Sequence, residues 1–479
     1  MSYEIRADYS RSWLFPPHLE DWVSADHPAR FLREFVDALD VKALGFYSRT
    51  SEDGRPNFAS DLLLKVWLFG YVNGIRSLRK LERACRENVG LLWLTGLNDP
   101  DHNTLWRFWR DNRKALRGVF KLVVRTAVEA KLVGVVLHAI DGTKIIAQGA
   151  KDRVRKREEL QLELAEIEQA VDEVMAEIEA TGAEDQDGEG YRLPPEWRQT
   201  MLRREQLREL VAECEINDRK TIHEWEPPAR FMKTRREGTA LAYNAQSVVD
   251  ADSKLIVAEE VIVEGTDNHV LVEMIEQVKD NVGQVAEETI ADAGYYSGEQ
   301  LQKAEQRGYG VLVNEHRDAA PSEDTSKNAY DSTGFSYDQQ RDCGVCPRGK
   351  DLPFEGMKSR GLAEGAEQMR RYRCKQFKDC PVRWQCSQDP KGRTVSIGRF
   401  HGPIIRQRQK SQAGDKHRLL RKRKGIAEPP FGIIKEIMQF RRFTVAGLEQ
   451  VGLQWSLICS AFNLRKLYPH WRAGRLRFA

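Results

Sequence analysis

Residues 133–150, VGVVLHAIDGTKIIAQGA, decide how the chain is read. Before them the apolar residues recur at helical spacing. Here a β-branched run meets Asp-Gly and a second apolar run, the pattern of a hairpin or of adjacent strand segments. A mixed α/β region therefore begins at Val133. Strand patterns return in LAYNAQSVVD (241–250) and KLIVAEEVIVEG (254–265). Helical HVLVEMIEQVKDNV (269–282), ETIADAG (288–294), helical SGEQLQKAEQ (297–306) and YGVLVN (309–314) follow. Strands first in hairpin-like succession and then alternating with helices predict a mixed sheet covered by helices.

Upstream, DLLLKVWLFGYVNGI (61–75), RSLRKLERACREN (76–88) and TLWRFWRDNRKALRGVFKLVV (104–124) predict an all-helical N-terminal domain over residues 1–130. The 104–124 stretch carries Arg107 and Arg110. It reads either as a DNA-docking helix or as a packed helix with a solvated basic face. Two interruptions split the mixed region. Residues 151–218 pair two charged amphipathic helices around the acidic tip GAEDQDGEG, a helical hairpin insertion. Residues 318–395 form a polar Cys-rich insertion, leaving 131–317 and 396–479 for the mixed α/β part.

The chain has 479 residues, too many for one growing core, with 41% hydrophobic and 31% charged residues, which excludes a disordered chain. Lys and Arg exceed Asp and Glu by only three, so a nucleic-acid footprint must come from clustering. The tail from Arg399 supplies it, with Arg421, Lys422, Arg423 and Lys424 in succession. The longest apolar stretch, Val119–Ile140, is broken by charges, and the N-terminus lacks an apolar signal core. These features predict a cytoplasmic protein without a membrane span.

Three acidic positions stand at element ends: Asp141, Asp292 and Glu428. Singly they read as a turn residue, a helix cap and a first-turn carboxylate. Jointly, carboxylates on strand ends and a late helix suit a pair of Mg2+ ions, which take oxygen ligands. In the Cys-rich insertion, Cys343 and Cys346 make a CxxC. Cys374, Cys380 and Cys386 follow at five-residue gaps, so the five thiols supply any four for a structural zinc, with free thiols the other reading.

The segments PDHNTLWRFW, AIDGTKI, PPARFMKTRREGTALAYNAQSVVD, TIADAGYYS, CGVCPRGK to CPVRWQC, EPPFGIIK and FNLRKL resemble the bacterial insertion-sequence transposases of the DDE type. The resemblance implies a ribonuclease-H-like catalytic domain. It implies Asp141, Asp292 and Glu428 as the catalytic triad on Mg2+ or Mn2+, cleaving DNA at element ends and joining a 3′-hydroxyl to target DNA. Lys435, seven residues after Glu428, is the expected phosphate contact, whereas Lys424 and Leu420 stand where Arg and Tyr would be sought. Lys233 and Arg235 in a basic turn, and Tyr243 and Asn244 in the following strand, are candidate DNA contacts. Asp267 and Asn268 read as a turn and helix cap. The partners so implied are terminal inverted repeats, target DNA and further copies of the chain, with no nucleotide cofactor. A catalytically silent DNA-binding descendant and a metal-dependent nuclease of the same fold are the competing readings.

Overall fold

The structure, a computed structural model, describes residues 18–47, 57–181, 195–234, 236–314, 330, 334–360 and 367–478. Helices come first: α1 (Pro28–Asp37), α2 (Ser60–Val72), α3 (Leu78–Glu87), α4 (Val89–Leu94), α5 (His102–Asp111) and α6 (Arg113–Glu129). Helix α5 starts earlier than its sequence suggests. Asp101 is its cap, accepting from the Thr104 N–H at 2.6 Å.

Strand β1 (Leu137–Ile146) follows and runs unbroken through Asp141-Gly142. The expected hairpin turn there does not form. Gly142 is needed for a close approach instead, since a Cβ would lie 2.5 Å from Gln246 Nε2 and 3.0 Å from Asp267 Oδ1. The chain then leaves the sheet through β2 (Val154–Lys156), α7 (Arg157–Thr181), α8 (Pro195–Ile216) and β3 (Thr221–His223), where β2 and β3 close the base of the arm. The acidic tip lies outside the described residues. Helices α7 and α8 lie antiparallel, tied by Arg203–Glu163 and Arg208–Glu168 at 2.7 Å each, and bury Leu160, Leu207, Leu210 and Cys214 as a separate small core.

The main sheet resumes with β4 (Arg230–Thr234), β5 (Gly238–Asp250) and β6 (Ile256–Ile262), then α9 (Leu271–Val282), β7 (Glu288–Ala291), α10 (Gly298–Gln306) and β8 (Val311–Val313). It is six-stranded. Strand β5 pairs with β1 antiparallel, and with β4 and β6 along its other edge, while β7 and β8 extend the sheet parallel to β1. Numbered by their succession, β6-β5-β1-β7-β8 is the 3-2-1-4-5 order of a ribonuclease-H-like α/β fold.

The Cys-rich insertion contains β9 (Ser336–Asp338), β10 (Cys343–Val345) and β11 (Asp351–Leu352) in one small sheet, and β12 (Phe354–Arg360), β13 (Glu367–Arg373) and β14 (Thr394–Ile397) in another, with α11 (Arg383–Cys386) between β13 and β14. Despite its polarity it has a core of its own, Phe335, Leu352, Tyr372, Val395 and Ile397. The chain ends in α12 (His401–Gln412), α13 (Gly414–Gly432), a π turn at Ile433–Ile437 and α14 (Leu448–Arg472). Helix α14 departs from the reading of a basic tail, because every residue from Val451 to Leu464 is buried. It packs on α1, α2, α6 and β6, so helices of the N-terminal region and the sheet share one core.

Because the arm's core is separate from the main one, Leu207→Ala should loosen the arm alone. Hydrogen exchange is expected to show faster exchange in α7 and α8, from a local loss of about 2–4 kcal/mol, with protection of β1 and α14 unchanged.

Candidate active site

Strand pairing brings the first two acids together. Ala139 faces Ile290 across the parallel β1–β7 pair, so continuing both strands by two residues sets Asp141 beside Asp292. Asp292 caps the turn after β7, its Oδ1 accepting from the Gly294 N–H at 2.7 Å. Asp141 Oδ1 accepts from the Gly142 N–H at 3.0 Å, and its Oδ2 lies 3.0 Å from Arg423 on α13. Burial pushes the Asp141 carboxyl up to about 6; Arg423 opposes that rise and the Asp292 charge adds to it.

A third carboxylate is present that the sequence reading assigned to a turn. Asp267 Oδ1 accepts from Asn244 Nδ2 at 2.6 Å and Gln246 Nε2 at 2.7 Å, and lies 3.7 Å from Lys144 Nζ. A Cβ on Gly294 would be 2.8 Å from Asp292 Oδ1 and 3.2 Å from Asp267 Oδ2, so the two carboxylates flank that glycine. The Tyr295 hydroxyl donates to Gln246 Oε1, completing a buried chain from the short turn Ala293–Tyr295 to β5. Asp141, Asp267 and Asp292 all push the Tyr295 phenol well up, after burial itself. The available signal for Asp267 was a loop aspartate ahead of α9, which does not reveal what β5 presents to it.

Glu428 lies in α13, which packs on β1, β5 and β7, one to two turns after Arg423. Arg423, rather than Glu428, is the α13 side chain in contact with Asp141. Pro429 and Pro430 remove two helical N–H donors, and the helix passes into the π turn that carries Lys435. Lys435 Nζ reaches Thr143 Oγ1 at 2.5 Å and the Lys144 carbonyl at 3.2 Å. Among the described residues, no three His, Cys, Asp or Glu side chains stand close enough together to hold a metal ion. The donor set nevertheless fits a hard divalent cation: Asp141, midway along β1, and Asp292, just past the end of β7, present carboxylate oxygens from neighbouring strands, with Asp141 desolvated.

The other candidates separate by exposure. Arg421, Lys422, Lys424, Lys233 and Arg107 are exposed; Arg110 is also exposed but pairs with Asp111 at 2.7 Å. Arg235 lies outside the described residues. Tyr243 and Asn244 require correction as surface DNA contacts, since both are 0% exposed. Tyr243 packs edge-on against Phe443, and Asn244 holds Asp267, because β5 is covered on both faces. In the insertion, Cys374, Cys380 and Cys386 line one cavity of about 30 Å3, and Cys346 packs with Cys374 and Cys386 on the insertion's core. Cys343 stands apart, facing Asp351 and Arg341, since alternation along β10 turns it away from Cys346.

A ribonuclease-H-like sheet with acidic side chains on neighbouring central strands, one within β1 and one just past β7, defines a class of enzymes that act on phosphodiesters. Residues 17–111 match a family described as Transposase domain (DUF772), and residues 345–468 match one described as Transposase DDE domain. No protein of curated function matches the chain significantly. Matches over these two stretches support reading the chain as an insertion-sequence DDE transposase. It is a DNA-binding transposition enzyme of a family that uses divalent metal, and among the described residues no helix is long and apolar enough to cross a membrane.

The raised Asp141 carboxyl sets a pH dependence. Its folded value lies above the ordinary 3.8, so the stability associated with its protonated form is lost as pH rises through about 6. In chelator, Asp141→Asn should therefore stabilise the chain, by a margin that grows from about pH 4 to about pH 6 and reaches about 2 kcal/mol. Thermal melts of both proteins across that range check it; a margin that shrinks with pH would contradict it.

Proposed function

We propose that Asp141, Asp292 and Glu428 hold Mg2+ or Mn2+ and that this site cleaves DNA at the terminal inverted repeats of the element and joins the 3′-hydroxyl to target DNA. The observation that carries the proposal is the nearness of Asp141, midway along β1, to Asp292, just past the end of the parallel neighbour β7, with α13 packed on both strands. The metal, when bound, supplies charge at the attacking and leaving oxygens of an in-line displacement. The chain's own groups do the rest. Arg423 holds the Asp141 carboxylate ionised until a cation replaces it. Asn244 and Gln246 fix Asp267, whose charge adds to the attraction for cations. Lys435, anchored on β1, offers its ammonium to the phosphate under attack, while Arg421, Lys422, Lys424, Lys233 and Arg107 hold the backbone further out. The enzyme works as copies of the chain assembled on DNA, in the cytoplasm, and needs no nucleotide cofactor.

We further propose that Cys346, Cys374, Cys380 and Cys386 bind one structural zinc. Four thiols gathered on one side of the insertion suit a tetrahedral closed site, and burial with neighbouring sulfurs pushes the Cys374 and Cys386 thiols up, a cost that a cation would remove. The Lys350 N–H donates to Cys346 Sγ at 3.3 Å, a contact that favours thiolate. Cys343 is left out as a packing residue.

Purified protein with end DNA should lose strand joining by more than about a thousandfold in Asp141→Ala, Asp292→Ala and Glu428→Ala while still binding the ends. Near-normal joining by any of these variants would remove that residue from the site, and cutting without joining by the unaltered protein would favour the nuclease reading. Metal analysis should find about one zinc per chain, lost in Cys374→Ser and retained in Cys343→Ser. Zinc-free active protein would overturn the zinc site.

A further inference from the structure

Away from the acidic site, a cavity of about 410 Å3 opens between α2, α3, α5 and the segment leading into α14. That is the size of a small-ligand pocket. Its walls are aromatic: Trp67, Tyr71 and Trp109, with Trp106 at 41% exposure. Trp67 and Trp109 pack at 4.8 Å between ring centroids, which makes a rigid floor, and the Trp109 Nε1–H is satisfied by Gln450 at 2.7 Å. Trp106 adds exposed aromatic surface that nothing in the fold requires. Arg76 and Arg79 bring positive charge to the lining. Arg79 is exposed, whereas Arg76 lies over Phe440 at 5.3 Å and donates to the Met438 carbonyl just past the π turn that carries Lys435. The cavity is thus joined to the catalytic helix by a direct contact.

Aromatic faces and cations describe one ligand chemistry. A nucleotide has a flat base to stack on the aromatic faces and a backbone phosphate for the arginines. Resting on the reading of this chain as an enzyme acting on DNA, we propose that the cavity receives a base turned out of the DNA strand. Trp106 stacks on the base and Arg76 and Arg79 hold its phosphate. The contact from Arg76 to Met438 then links capture of the base to the position of the helix bearing Lys435.

The test uses the full chain and three duplexes: fully paired, with one bulged 2-aminopurine, and with a bulged abasic residue in its place. The unaltered protein should bind the 2-aminopurine duplex more tightly than the abasic one by roughly 5- to 150-fold, and quench its fluorescence. Trp106→Ala should abolish both the preference and the quenching without changing paired-duplex affinity or the melting temperature, since Trp106 lies partly in solvent. Trp106→Phe should restore most of the preference. Equal affinity for base and abasic bulges, or a preference that survives Trp106→Ala, would overturn the site, the cavity then serving another occupant such as a side chain from a second copy. Failure to bind any of the three duplexes would instead count against the DNA-binding reading as well.

Discussion

The burial of α14 is the constraint on which the rest of the molecule depends. A helix enclosed on all sides must be surrounded by other elements, and α14 has α1, α2 and α6 along one flank and β6 along another. Its polar residues serve as ties rather than as surface. Trp455 Nε1 donates to the Gln246 carbonyl at 3.0 Å, Asn463 bridges both backbone groups of Ile256, and Gln454 joins Thr444 to Tyr71. The bond from Trp455 fixes the same residue whose amide holds Asp267. Helices of the N-terminal region and the acidic site are therefore parts of one packed body.

The site itself is a balance of charge in a poorly solvated place. The Asp292 charge opposes ionisation of the buried Asp141 carboxyl, and Asp267 flanks Gly294 together with Asp292. Arg423 and Lys144 supply counter-charges, at 3.0 Å from Asp141 and 3.7 Å from Asp267. Two glycines permit this arrangement. At Gly142 and Gly294 any Cβ would strike the amides or carboxylates that make the site.

The two insertions are built differently from the body that carries them. The arm has its own apolar seam and ion pairs, and its base is closed by His223, whose Nδ1 accepts from the Glu226 N–H at 3.0 Å and whose Nε2 lies 2.9 Å from the Ala150 carbonyl. The Cys-rich insertion folds on five apolar residues and gathers four thiols beside them. Separate small cores let such units be carried on a sheet without disturbing its register.

Much of this was legible in the sequence because periodicity is local. The change of period at Val133 and the charged amphipathic pattern of residues 151–218 each show themselves within a few residues, and they led to the mixed sheet and the arm, while the enzyme class came from the resemblance of several segments taken together. Tertiary structure alone decided the remainder. Asp141-Gly142 is strand rather than turn because β5 lies against it. Asp267 joins the site because Asn244 and Gln246 reach it from β5, although 23 and 21 residues separate them in the chain. Tyr243 and Asn244 are interior because helices cover that strand, and Cys343 leaves the thiol group because strand alternation turns it away. The residues from Val451 to Leu464 look like one more helix of a basic tail until their neighbours are known. Which face of an element is buried depends on what packs against it, and that information is spread over the whole chain.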